Sequence, residues 1–201
     1  MARFLALGDS YTIGEAVAAA DRWPALLAQR LRQQGMALDE PQLVAVTGWT
    51  TDELAQGMDA ATFSPPYDLV SLQIGVNNQY RGRAADEYRE SFASLLERAI
   101  ALAGDHPAHV VVVSIPDWGV TRFAHEQGRD GASIASELDR YNAIARDACT
   151  GRGVAFVDIT EISRQHPELT APDGLHPSAT QYAMWADAIE PVARRALDTP
   201  R

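Results

Sequence analysis

The sequence predicts an α/β fold, a three-layer α/β/α sandwich around a five-stranded parallel sheet, in a single domain spanning residues 1–201. Three observations predict it. Apolar runs of strand length alternate with helix-period patterns from end to end, the signature of parallel strands joined by crossover helices. Residues 110–113 are four consecutive valines, the continuous apolar run expected of a central strand covered on both faces. The segments rich in Gly, Asp and Asn lie directly behind the apolar runs, and an open parallel sheet binds its ligands beyond the carboxyl ends of its strands.

In chain order, the first strand is read over 3–7 and runs into Gly8-Asp9-Ser10-Tyr11-Thr12. A helix follows over 23–34. Pro24 suits its opening turn, Leu26, Leu27, Arg30 and Leu31 recur at helical spacing, and Gly35 suits its end. The second strand, 43–47, precedes Gly48-Trp49 and a helix over 51–58. The third, 68–74, precedes Gly75-Val76-Asn77-Asn78 and a helix over 85–103. The fourth, 109–115, leads into Pro116-Asp117-Trp118, and residues 118–131, with three glycines, read as a long surface loop. A helix over 134–150, a fifth strand over 154–157 and a last helix over 178–197 complete the chain. The expected strand order is 2-1-3-4-5. Its reversal point lies between strands one and three, which sets Ser10 and Asn77 across one crevice.

Composition narrows the function. The 201 residues carry 27 acidic and 17 basic side chains, a formal charge of -10, so the average field repels nucleic acid and anionic lipid. Neither is an expected partner. Every basic residue is an arginine, which reads as codon bias. The single cysteine, Cys149, excludes an internal disulfide and is read as a buried, inert thiol. No apolar run approaches the ~18 residues of a membrane span, and the expected location is cytoplasmic. Composition does not fix the oligomeric state.

The residues behind the strands carry the chemistry. A serine hydroxyl is a poor nucleophile without an adjacent base held in the right tautomer by a third group. Ala171-Pro172-Asp173-Gly174-Leu175-His176-Pro177-Ser178 is kept irregular by proline and glycine. A carboxylate at 173 can therefore reach the imidazole Nδ1 at 176 within one loop turn and leave Nε2 to take a proton from a hydroxyl. Acyl transfer also needs donors aimed at the developing oxyanion, and the candidates are the backbone N–H groups of Ser10 and Gly48 and the side-chain amide of Asn77. Asp9 is read as a structural residue of the nucleophile loop. Tyr11, Trp49, Tyr80 and Trp118 are candidate walls of a substrate pocket, Trp185 a core residue, and His106, His109, His125 and His166 surface or loop residues.

Gly8-Asp9-Ser10 near the start, a glycine after strand two, Gly-x-Asn after strand three and Asp-x-x-His near the end together resemble, in order, the four sequence blocks of the SGNH hydrolases, the GDSL esterase/lipase superfamily. The resemblance spans Gly8 to His176. It implies a flavodoxin-like sandwich and a serine esterase acting on carboxylic esters, read here as small or short-chain acyl esters, with no metal and no organic cofactor. It also implies Ser10 as nucleophile, His176 and Asp173 as the rest of a triad, and Ser10, Gly48 and Asn77 as the oxyanion hole. Two positions depart from the pattern: Asn78 stands where Asp is frequent, and Tyr11 where Leu is. Two other readings fit parts of the pattern. Asp9, Asn77, Asp173 and His176 are ligand types for a divalent metal in a phosphoesterase, although Asp-x-His and Gly-Asn-His elements are missing. The first loop alone suits a non-enzymatic phosphate- or nucleotide-binding module, although no P-loop or Gly-x-Gly-x-x-Gly is present.

Overall fold

A computed structural model describes residues 1–200. Five strands, β1 (Phe4–Gly8), β2 (Gln42–Ala45), β3 (Leu69–Gln73), β4 (Val110–Val113) and β5 (Ala155–Val157), form one all-parallel sheet in the order β2-β1-β3-β4-β5. The register brings Gly8 beside Ala45 on one side and Gln73 on the other. The chain therefore leaves three neighbouring strands at one level, and the loops that follow converge there.

Three long helices and two of middle length make the outer layers: α2 (Trp23–Gln33), α3 (Thr51–Ala60), α5 (Ala85–Leu102), α7 (Gly131–Arg152) and α9 (Ala179–Asp198). α2 packs on α9, while α5 packs on both α3 and α7. Local chemistry sets their ends. α3 opens with a capping box in which the Thr50 side chain accepts from the Glu53 N–H and the Glu53 carboxylate accepts from the Thr50 N–H at 2.9 Å. α2 closes through Gly35, whose φ of +89° is the left-handed conformation that glycine adopts without strain. The valines of β4 are buried on both faces. A contiguous apolar core runs from Phe4 to Ala196, with Trp23, Trp118 and Trp185 among its largest fully buried members.

The strands are shorter than the apolar runs, because each ladder stops where its neighbour turns away. Ile74 and Ser114, for example, stay buried but lie beyond the paired residues. Shorter helices escape sequence periodicity altogether: α1 (Ser10–Ile13), α4 (Val76–Tyr80), α6 (Arg122–Glu126) and α8 (Thr160–Gln165). At four to six residues each is too brief to show a repeat of 3.6.

Two expectations are corrected. Residues 118–131 are not a long loop: a 3-10 turn, Trp118–Val120, is followed by α6, and Asp130 caps α7 through the Ala132 N–H at 3.1 Å. The segment is anchored at its root by Asp117, which accepts from the Gly119 N–H at 2.9 Å and from Arg164 Nε at 2.9 Å. His109 is not at the surface. It is buried in a 3-10 turn opened by Pro107, with Nδ1 2.8 Å from the Asp68 carbonyl. Cys149 is buried in α7, where burial pushes its thiol up to about 12.

Candidate active site

The first loop is shaped by packing. Asp9 caps α1, its Oδ1 accepting from the Tyr11 N–H at 3.0 Å, and this puts Ser10 at the first helical position. The first N–H groups of a helix have no acceptor within it, so the Ser10 N–H is available to a ligand. Gly8 is required by close approach, since a Cβ there would lie 2.1 Å from Thr12 Oγ1 and 2.6 Å from the Gln73 carbonyl. Asp9 is almost wholly buried, and burial pushes its carboxyl up to about 7 against the opposing pull of the Tyr11 N–H.

The second and third loops are tied to each other. Gly48 has φ of +88°, and its N–H donates to no group among the described residues. Its carbonyl accepts from Arg81 Nη2 at 2.8 Å, and Arg81 Nη1 lies 3.3 Å from Glu53. Asn77 Nδ2 donates to the Trp49 carbonyl at 2.9 Å. A side-chain amide carries two N–H donors, so one anchors the loop and the other remains for a ligand. The neighbouring Asn78, one of the two departures noted in the sequence, is fully buried. It accepts from the Thr51 N–H at 3.0 Å and donates to Thr51 Oγ1 at 2.8 Å, locking α4 to the start of α3. Gly75 before them has φ of +131°, and a Cβ there would press into the Tyr88 ring at 2.6 Å.

The last loop is held by hydrogen bonds. Asp173 Oδ1 accepts from the N–H groups of Leu175 and His176 at 2.9 and 3.0 Å, and Oδ2 lies 2.6 Å from His176 Nδ1. Partial burial works to raise the Asp173 carboxyl, yet the bonds from His176 and the two backbone donors outweigh it and hold the group below the ordinary carboxylate range. With Nδ1 engaged, Nε2 is the ring nitrogen left for a proton transfer. The imidazole rests edge-on against Tyr11 at 5.9 Å, and Tyr11 rests in the same way on Trp185 of α9.

These loops enclose a pocket of about 240 Å³ lined by Ser10, Gly48, Asn77 and His176 together with Thr47, Val76, Tyr80, Trp118, Phe123, Leu175 and Tyr11. Apart from His176 no titratable group but two tyrosines faces it. Neither the Ser10 hydroxyl nor His176 Nε2 is hydrogen-bonded to a described residue. Such bonds are often long without substrate and close in the complex. Among the described residues no three His, Cys, Asp or Glu side chains converge as metal ligands.

Of the aromatic candidates, Tyr11, Tyr80 and Trp118 line the pocket and Trp49 does not. The Trp49 ring covers Gly57 of α3, where a Cβ would fall 2.1 Å from it. Sequence reasoning passed over Arg81 and Arg122. Arg122 Nη2 donates to the Pro172 carbonyl at 2.9 Å, its guanidinium occupies the space a Cβ on Gly174 would need, and the adjacent Phe123 N–H donates to the Gly174 carbonyl at 3.0 Å. α6 therefore braces the Asp173–His176 turn. A Gly at 174, with no side chain to keep an approaching group away, was the available signal.

A model of the GDSL-like lipase/acylhydrolase family matches residues 6–184. Solved structures resemble this one over nearly their whole length. A lipase/acylhydrolase from Enterococcus faecalis is 18% identical with a TM-score of 0.74, covering 100% of this chain and 99% of its own. An acetylxylan esterase from Geobacillus stearothermophilus is 18% identical with a TM-score of 0.75, covering 96% and 94%. A carbohydrate acetylesterase family member from Sinorhizobium meliloti is 20% identical with a TM-score of 0.68, covering 99% and 100%. No curated protein sequence matches the chain. No described helix is long and apolar enough to cross a membrane.

Proposed function

The chain belongs to the GDSL-like lipase/acylhydrolase family, and from that premise we propose that it is a serine esterase hydrolysing short-chain carboxylic esters through Ser10, His176 and Asp173. The observation that carries this reading is the 2.6 Å contact of His176 Nδ1 with Asp173, made by a histidine that shares one pocket with Ser10, Gly48 and Asn77.

The reaction follows from the parts. His176 Nε2 takes the Ser10 proton as Oγ attacks the ester carbonyl, and Asp173, ionised, stabilises the imidazolium that forms. The carbonyl oxygen gains a full negative charge, met by the N–H groups of Ser10 and Gly48 and the free amide proton of Asn77. The imidazolium then protonates the leaving alcohol as the C–O bond breaks. Water, deprotonated by the same histidine, adds to the acyl-enzyme carbonyl; the bond from Ser10 Oγ to the acyl carbon then breaks, the imidazolium returns the proton to Oγ, and the acid leaves. A pocket of about 240 Å³ with no carboxylate or guanidinium on its lining supports a small neutral acyl group.

The test is intact-mass labelling with a fluorophosphonate, run on wild type and Ser10→Ala with p-nitrophenyl acetate and butyrate turnover on the same samples. One adduct per chain, lost together with turnover in the variant, is expected. A folded wild-type protein that takes no label overturns the reading.

A further inference from the structure

Two aromatic rings on the pocket lining, Tyr80 and Trp118, are held to different degrees. Trp118 is 2% exposed, and its Nε1 donates at 2.8 Å to Gln79 Oε1, while Gln79 Nε2 reaches Glu137 at 2.6 Å. That ring is fixed. Tyr80 is 45% exposed and its hydroxyl has no partner among the described residues. Its ring meets Trp118 edge-on at 5.4 Å and is covered by Arg129, whose guanidinium carbon lies 5.4 Å from the Tyr80 ring centre and 5.1 Å from that of Trp118. Arg129 forms no ion pair with any described carboxylate, so the two rings are its partners. It is brought there by the end of α6, where Gly128 has φ of +62° and the Arg129 N–H donates to the Ala124 carbonyl at 3.0 Å.

We propose that Arg129 is a specificity-determining residue, a strap that holds Tyr80 against Trp118 and so closes the acyl side of the pocket to all but short chains. This rests on the esterase reading and extends it. The leaving alcohol must stay within reach of His176, and the carbonyl oxygen must point at Gly48 and Asn77. The acyl chain is assigned to the side of the pocket lined by Val76, Tyr80 and Trp118. Because Trp118 is pinned and Tyr80 is not, the length limit resides in the contact that keeps Tyr80 in place.

The experiment is the kcat/KM profile for p-nitrophenyl acetate, butyrate, hexanoate and octanoate with wild type, Arg129→Ala, Arg129→Lys and Tyr80→Ala, with a separate aliquot of each protein titrated with a fluorophosphonate to show that its nucleophile is intact. Wild type is expected to decline beyond butyrate. Arg129→Ala is expected to raise the octanoate-to-acetate ratio about tenfold, the scale set by two partly exposed cation–π contacts, with Tyr80→Ala shifting it the same way and Arg129→Lys in between. A merely structural role lowers every chain length together. Variants whose parallel aliquot takes the label and whose ratio is unchanged therefore overturn the strap and leave the esterase standing, as does a shift seen only in a matched series of acetate esters of longer alcohols. An unlabelled wild type overturns both.

Discussion

The loop behind the first strand and the loop before the last helix each carry an aspartate, and the two are held in opposite ways. Asp9 is 1% exposed and kept by packing; burial pushes its carboxyl up to about 7. Asp173 is about one-third exposed, at 36%, and the hydrogen bonds of His176 and two backbone N–H groups hold it low against its partial burial. A carboxyl that only caps a turn can be stored near neutrality. One that stabilises an imidazolium, the role proposed for Asp173, has to be ionised throughout the working range. One site thus contains a stiff half, set by the sheet and by glycines, and a half whose shape depends on charge and on a brace from α6.

The largest test of this contrast removes the groups proposed to react. Ser10→Ala and His176→Ala are each expected to lower kcat by on the order of 10⁴ to 10⁶, measured on p-nitrophenyl butyrate, although one residue lies in each half. Asp173→Asn is expected to cost about 10⁴ in kcat, because the amide no longer selects the right imidazole tautomer. A loss below tenfold would break the division of labour between the two aspartates. Asn77→Ala, in the stiff half, should lower kcat about 10² to 10³ with little change in KM, although part of any loss will come from releasing the Trp49 carbonyl.

The two carboxyls also differ in the sign of their pH dependence. Asp9 holds its proton more tightly folded than unfolded, so its contribution to stability is present below about pH 4 and lost as pH rises through about 7. Asp173 runs the other way: its contribution is present above its unfolded pKa and is lost as pH falls through its lower native one. Denaturant midpoints measured from about pH 5 to about pH 8 should therefore fall more steeply in wild type than in Asp9→Asn, which keeps the cap to Tyr11 but cannot ionise. Parallel curves would show that burial does not govern Asp9. The smallest expected effect is that of Arg122→Ala, about tenfold in kcat through misplacement of the His176 turn, with partial recovery in Arg122→Lys. The melting temperature should barely move, because this side chain is largely exposed.

The same division explains what could be read in the sequence. Strand order, the placement of Ser10, Gly48 and Asn77 behind β1, β2 and β3, and the Asp173-x-x-His176 turn were legible, because parallel strands of matched register end together and glycine marks the points where they turn. The supports were not. Arg81 and Arg122 act across the chain gaps 48–81 and 122–172, and no periodicity records a contact between two loops. Trp49 looked like a pocket wall because it follows a strand. Its ring went to Gly57 instead, where a missing side chain left room for it. α6 and α8 were hidden by their brevity, and His109 by a hydrogen bond to a carbonyl distant in sequence.

The position of Trp118 gives the molecule an optical property. Of four indoles, Trp23 at the start of α2 is buried and hydrogen-bonded to Gln73 of β3, Trp49 covers α3 and Trp185 is buried in α9, and only Trp118 lines the pocket. Its emission is therefore the one that an occupant of the pocket touches directly. A steady-state fluorescence titration on the unlabelled protein thus reads site occupancy chiefly at Trp118, with Trp185 one ring removed from the pocket through Tyr11.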